Sequence, residues 1–122
     1  MQMLTVLGNL GKDVEERDTK IGKVWTFPVA VSLSKDEVLW YDCVVFPDRQ
    51  RMLSSMHPYL TKGSRFLITG DFRGPELYKS RDGETKCKLK LWPLTIQFVL
   101  SKKEAEPKDH YATDITDQEL PF

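Results

Sequence analysis

Trp25, Phe27, Val29, Val31 and Leu33 alternate with Thr26, Pro28, Ala30 and Ser32, and this period of two commits residues 22–33 to a half-buried β-strand. A lone strand has no stability of its own, so the rest of the chain must supply partners. Residues 4–7 open as one, then meet Gly8-Asn9-Leu10-Gly11, where two glycines predict a bulge or bend. Residues 38–46 form another, rich in β-branched and aromatic side chains. Pro28 pushes the 22–33 strand towards an edge or a bulge, because it lacks the amide hydrogen a central ladder needs.

Asp48 then caps a helix over 49–60, with Met52, Leu53, Met56 and Leu60 at helical spacing. Pro58 weakens its last turn, and Lys62-Gly63 ends it. Residues 65–73 are a fourth strand. Residues 77–80 and 84–92 flank Arg81-Asp82-Gly83, a hairpin signal, and 94–100 closes the sheet. About five strands with one helix between the third and fourth is the layout of an OB-fold, an all-β five-stranded Greek-key barrel. Residues 1–100 make this domain. Residues 101–113 are polar and charged and form a short disordered linker, and 114–122 form an acidic tip.

The formal net charge is zero, but it is unevenly spread. Residues 101–122 hold three lysines against six acids, which leaves 15 basic and 12 acidic residues in 1–100. A mildly basic body thus carries an acidic tail. In the tip, Asp114, Asp117 and Glu119 precede Leu120, Pro121 and Phe122. The ring of Phe122 is held on a backbone stiffened by Pro121. Such a peptide suits a partner with an apolar hole and a basic rim, a recurring docking mode. An ordinary frayed acidic end is the competing explanation.

No apolar run approaches a membrane span, and the N-terminus lacks a signal peptide's pattern, so a cytoplasmic, nucleoid-associated protein is expected. Cys43 and Cys87 lie in strand-like segments without metal-type spacing, which predicts buried free thiols. His57 and His110 have no nucleophile or acid at suggestive spacing, and Asp13, Glu15 and Glu16 share a solvated loop with Lys12 and Arg17. There is no phosphate-binding glycine loop and no zinc signature. The expectation is therefore no enzyme, no catalytic residues, no metal and no cofactor.

Two faces carry a binding signal. Along 38–46, Trp40, Asp42, Val44 and Phe46 share one side, and Tyr41, Cys43 and Val45 the other. Trp40 and Phe46 stand about 20 Å apart on an extended strand, room for several bases between two stacking platforms. The competing reading is that both rings are core, the commoner place for a lone Trp on a strand. Along 84–92, Lys86, Lys88, Lys90 and Trp92 share a face opposite Cys87, Leu89 and Leu91. Lysines on an edge strand also block aggregation. Here, however, Arg73, Tyr78, Lys79 and Arg81 lie on or near the same hairpin, and cations interleaved with aromatics suit a single-stranded backbone.

Taken in order, these residues resemble the bacterial single-stranded DNA-binding protein family, the homotetrameric OB-fold type. The motifs are Val6-Leu7-Gly8-Asn9-Leu10-Gly11-Lys12-Asp13 with Glu15-Glu16-Arg17, then Gly22-Lys23 and Phe27-Pro28-Val29-Ala30. Trp40-Tyr41-Asp42-Cys43-Val44-Val45-Phe46, Tyr59-Leu60-Thr61-Lys62-Gly63-Ser64, Ile68-Thr69-Gly70, Asp82-Gly83 and Ile96-Gln97-Phe98 follow, with Leu-Pro-Phe at the tip. The resemblance implies base stacking by Trp40, Phe46 and Tyr78. It implies phosphate contacts from Arg17, Lys62 and Arg73, to which the hairpin adds Lys79, Lys86, Lys88 and Lys90. It further implies a homotetramer, with the tip docking replication, recombination and repair proteins.

The chain departs from the family in three places. Asp42 stands where a basic residue is common, the loop 34–37 is short and lacks a fourth stacking Trp, and the linker is brief. Trp25 falls in the core row. Two other readings fit an OB-fold: an RNA-directed chaperone, and an adaptor that binds only proteins, with Trp40 and Phe46 in its core or interface.

Overall fold

Six strands curl into a closed sheet: β1 (Met3–Leu10), β2 (Glu15–Thr19), β3 (Gly22–Ser32), β4 (Val38–Val45), β5 (Arg65–Lys79) and β6 (Thr85–Leu100). The structure, a computed structural model, describes residues 1–100. The expectations for the linker, 101–113, and the tip, 114–122, lie outside the described residues. Neighbours run β1-β5-β6-β4-β3-β2, and a further β1–β3 pairing closes the barrel. Only β4 and β6 run parallel, with Tyr41 beside Leu89 and Cys43 beside Leu91. Between β4 and β5 lie α1 (Pro47–Leu53) and a 3₁₀ turn, Ser54–Tyr59. This is the OB-fold, with β2 added outside the five barrel strands.

Alternation decides which side chains enter the barrel. Phe27 and Val29 from β3, Tyr41, Cys43 and Val45 from β4, Phe66 and Ile68 from β5, and Leu91 from β6 meet in one core. Leu53 and Leu60 from the helical connection join them. Burial pushes the Cys43 thiol well above its ordinary range, and the neighbouring Asp42 carboxylate adds to the rise. Emptying a site such as Phe66 would cost about 3–5 kcal/mol.

The structure departs from the sequence reading where the local signal was ambiguous. β3 is not an edge: Pro28 sits between the last β2 pair, Glu15 with Thr26, and the first β1 pair, Leu10 with Val29. Its missing amide hydrogen therefore interrupts no ladder. Gly8 marks close approach rather than a bend, since a Cβ there would fall 2.5 Å from the Ala30 carbonyl oxygen as β1 meets β3. Glu15, Glu16 and Arg17, expected in a solvated loop, instead begin strand β2, exposed at every position; charge on both faces hid the alternation. The helix begins at Pro47 and turns 3₁₀ after Leu53, and its cap position is Phe46, not Asp48. Met52 is accordingly exposed.

Segments read as separate strands are continuous. β5 bulges between Phe72 and Pro75, and β6 shifts register between Pro93 and Thr95, which carries the buried row from Leu91 to Ile96. The β5–β6 hairpin projects beyond the barrel, so Cys87 is exposed rather than buried, while Cys43 is buried; both thiols are free. Trp25 is in the core at 6% exposure. Among the described residues, no helix is long and apolar enough to cross a membrane.

Candidate nucleic-acid interface

β4 sets the site. Its inward row fills the barrel, so Trp40, Asp42, Val44 and the following Phe46 must face out. Trp40 is 54% exposed, far from a core position. Its β3 neighbours are small or flat, Ala30 beside it and Pro28 beside Asp42, which leaves space for the indole. The ring rests against Gly11: a Cβ there would lie 2.5 Å from Trp40 Cζ3. A side chain at Gly11 would push the indole aside, so the bend that follows β1 seats the Trp40 ring.

An open cleft of about 620 Å³ surrounds Trp40, and its cations are Lys12, Arg17, Lys88 and Lys90. Two of them are held by carboxylates. Arg17 donates to Glu15 at 3.1 Å, and Lys90 Nζ lies 2.5 Å from Glu76 Oε2. The hydrogen bond from Lys90, together with its charge, holds the Glu76 carboxyl below its ordinary range. Asp42 stands beside Lys90 across the β4–β6 pair. Lys88 lies over the Tyr78 ring, 5.1 Å from its centroid, a cation–π arrangement worth about 0.5–1 kcal/mol when exposed.

A second cleft, of about 470 Å³, adjoins the first, with Val44 lining both. Here Phe46 meets Trp92 edge to face, with centroids 4.8 Å apart and planes at 79°. Arg73 lies 4.1 Å over the Trp92 ring and reaches the largely buried Asp71 at 3.0 Å. Asp71 and Trp92 are themselves paired across β5 and β6.

Of the residues singled out from the sequence, Trp40, Arg17, Lys88 and Lys90 line the first cleft. Tyr78 and Lys86 stand opposite one another on the arm, on the lysine side by alternation. Phe46 and Arg73 belong to the second cluster. Lys79 follows Tyr78 and so falls on the arm's other side. Lys62 lines neither cleft; its amide donates to Asp13 at 2.7 Å beside the β1–β2 turn. The sequence reading missed Lys12 in the cleft and Glu76 as the carboxylate that holds Lys90. It placed Trp92 on the lysine face but gave it no role, although the alternation of Lys86, Lys88 and Lys90 already aimed it there.

A profile of the Single-strand binding protein family matches residues 1–99. The chain belongs to that family. It is 38% identical over 96 residues to a single-stranded DNA-binding protein of Chlamydia caviae, covering 75% of this chain and 57% of the relative. A Chlamydia pneumoniae protein of the same name is 40% identical over 86 residues, covering 67% and 51%. The chain thus spans about half the length of the curated relatives it matches.

Among solved structures, a small single-stranded DNA-binding protein from Streptomyces coelicolor superposes with TM-score 0.64 at 15% identity, over 81% of this chain and 94% of that one. A mitochondrial single-stranded DNA binding protein from S. cerevisiae gives 0.62 at 18%, over 82% and 96%. At such identities these two likenesses establish the fold. Family membership rests on the profile and the bacterial relatives.

Proposed function

We propose that this family member is a non-catalytic, sequence-independent binder of single-stranded DNA, protecting exposed strands during replication, recombination and repair. The observation that carries the reading is the half-exposed Trp40 ring on a cleft with four cations. An exposed indole stacks on any base, and neighbouring cations meet the phosphates. Trp40 and Phe46 provide stacking surfaces on β4, and Tyr78 on the arm. Arg17, Lys86, Lys88 and Lys90 supply phosphate contacts, with Arg73 at the second cluster and Lys62 and Lys79 at the periphery.

Self-association into a tetramer belongs to the same proposal. β1 pairs with β3 only at Asn9 and Leu10, which leaves most of one edge open to another strand. Through its tip, Asp114 to Phe122, the protein recruits replication, recombination and repair partners. Its place of work is the nucleoid in the cytoplasm.

Titration with oligo(dT), read by tryptophan fluorescence at several salt concentrations and paired with mass measurement of the complex, tests the reading. Quenching that weakens with salt supports it. Unquenched Trp40 fluorescence at saturating oligo(dT) favours the protein-only adaptor, and a preference for poly(U) over poly(dT) favours the RNA-directed reading.

A further inference from the structure

Trp92, which packs on the stacking residue Phe46, has no role among the stacking positions or the lysine stripe. Trp92 follows Lys88 and Lys90 on the outward row of β6, and the register shift comes only after it. It lines an open cleft with Phe46, so part of its ring is accessible. The two rings stand at 79° to one another. A flat group entering that corner can stack on one ring while its edge meets the other.

A guanidinium stands beside that group, in a corner whose two arginines and two carboxylates balance in formal charge. Arg73 lies over Trp92, and Arg49 lines the same cleft. Two carboxylates, Asp48 and Asp71, also line it. Asp71 is held by Arg73 at 3.0 Å, so that pair keeps the guanidinium in place over the indole. Val44 is shared with the cleft around Trp40, so the two surfaces are continuous. A strand leaving Trp40 along β4 is led to this corner.

We infer that Trp92 is a further nucleic-acid contact, forming with Phe46 a corner that takes one base of a single strand, its phosphate met by Arg73. The inference rests on the single-strand-binding reading and extends it by one subsite. Its occupant is a nucleotide within a bound strand. An apolar side chain of a protein partner would fill the corner without using the guanidinium.

Photocrosslinking tests this directly. The full-length protein is irradiated with oligo(dT) strands carrying one 5-iodo-2′-deoxyuridine at successive positions, and adducts are mapped by mass spectrometry. Adducts on Trp40 or Phe46 at some positions and on Trp92 at others are expected. Adducts on Trp40 or Phe46 with none on Trp92, whatever the position, would overturn this inference and leave the proposed function standing. No adduct anywhere, together with no quenching, sinks the proposed function itself.

Fluorescence gives an independent arm. In Trp40→Phe, Trp25 is buried, so the remaining oligo(dT)-dependent quenching comes from Trp92 and should vanish in Trp40→Phe/Trp92→Phe. Trp92→Ala should raise Kd roughly 5- to 150-fold if one stacked base is lost. Trp92→Phe, which keeps a ring for Phe46 to pack on, should recover most of that. A Trp40→Phe protein that binds oligo(dT) without any quenching contradicts the inference.

Discussion

Lys90 Nζ and Glu76 Oε2 close to 2.5 Å across β5 and β6, so a cation lining the Trp40 cleft is held by a carboxylate before any phosphate arrives. A bound strand must take Lys90 from Glu76 or leave it unused. Glu76→Gln should therefore tighten oligo(dT) binding and make it more salt-dependent, because phosphate no longer competes with a fixed anion.

The pH dependence follows with a definite sign. Lys90 holds the folded-state pKa of Glu76 below its ordinary value of 4.5. The ion pair's contribution to stability is therefore present above that ordinary value and lost as pH falls through the lowered one. DNA that takes Lys90 away lets the Glu76 pKa rise, so binding takes up a proton and strengthens on acidification in that window. Asp42 and Glu15 are further carboxylates lining the Trp40 cleft, so the measurement is the difference between wild type and Glu76→Gln. Identical pH profiles for the two proteins would show that DNA never separates the pair.

The lysine stripe divides by the same logic. Lys86 and Lys88 are exposed and paired with no carboxylate among the described residues, whereas Lys90 is held. In single-strand binding generally, each lost phosphate contact flattens the log–log salt slope by about 0.7. Lys86→Ala and Lys88→Ala should each approach that value, and Lys90→Ala should fall short of it. Asp42→Arg should tighten binding by replacing a repulsive charge beside Lys90. An unchanged slope in the triple lysine variant would reduce the stripe to edge protection.

What the sequence disclosed depended on whether a residue's neighbours on the same strand determined its side. Tyr41, Cys43 and Val45 could be assigned to one side and Trp40 and Phe46 to the other, because alternation over 38–46 is uninterrupted. Which side faced the core followed only from the fold. Alternation likewise put Trp25 with the core row. β2 was hidden because Glu15, Glu16, Arg17 and Asp18 are charged on both faces. Pro28 misled because its tolerance depends on where β2 hands over to β1, a relation between strands distant in sequence. The pairing of Glu76 with Lys90 and the packing of Phe46 on Trp92 are likewise cross-strand facts. They follow from register and bulges that no single segment encodes.

The tip can be separated from the body. Deleting 114–122 removes three acids and should leave oligo(dT) binding equal or tighter, most visibly at low salt, where charges are least screened. Phe122→Ala keeps every carboxylate, so it should leave DNA binding unchanged while abolishing capture of recombination and repair partners. If residues 101–113 serve as the proposed linker, these 13 residues span at most ~3.3–3.6 Å each, which would hold a docked partner near the DNA. Equal partner binding by Phe122→Ala and wild type, measured by calorimetry, would end the recruitment proposal.

Trp40 offers the sharpest separation of binding from folding, because its ring is half exposed and rests on Gly11 rather than in the core. Trp40→Ala should weaken oligo(dT) binding by about 1–3 kcal/mol, the range found for base stacking in single-strand binding OB-folds as a class. Phe46→Ala should lose a similar amount, but it also removes a packing partner of Trp92, so part of its effect will appear in thermal stability. Gly11→Ala reaches the same ring from beneath. The added methyl would sit 2.5 Å from Trp40 Cζ3, so the indole must swing off its seat while the barrel core is untouched. The expected result is a near-normal melting temperature with weakened binding and altered quenching. If Gly11→Ala binds and quenches like wild type, the indole finds its working position without that seat, and the bend after β1 plays no part in presenting it.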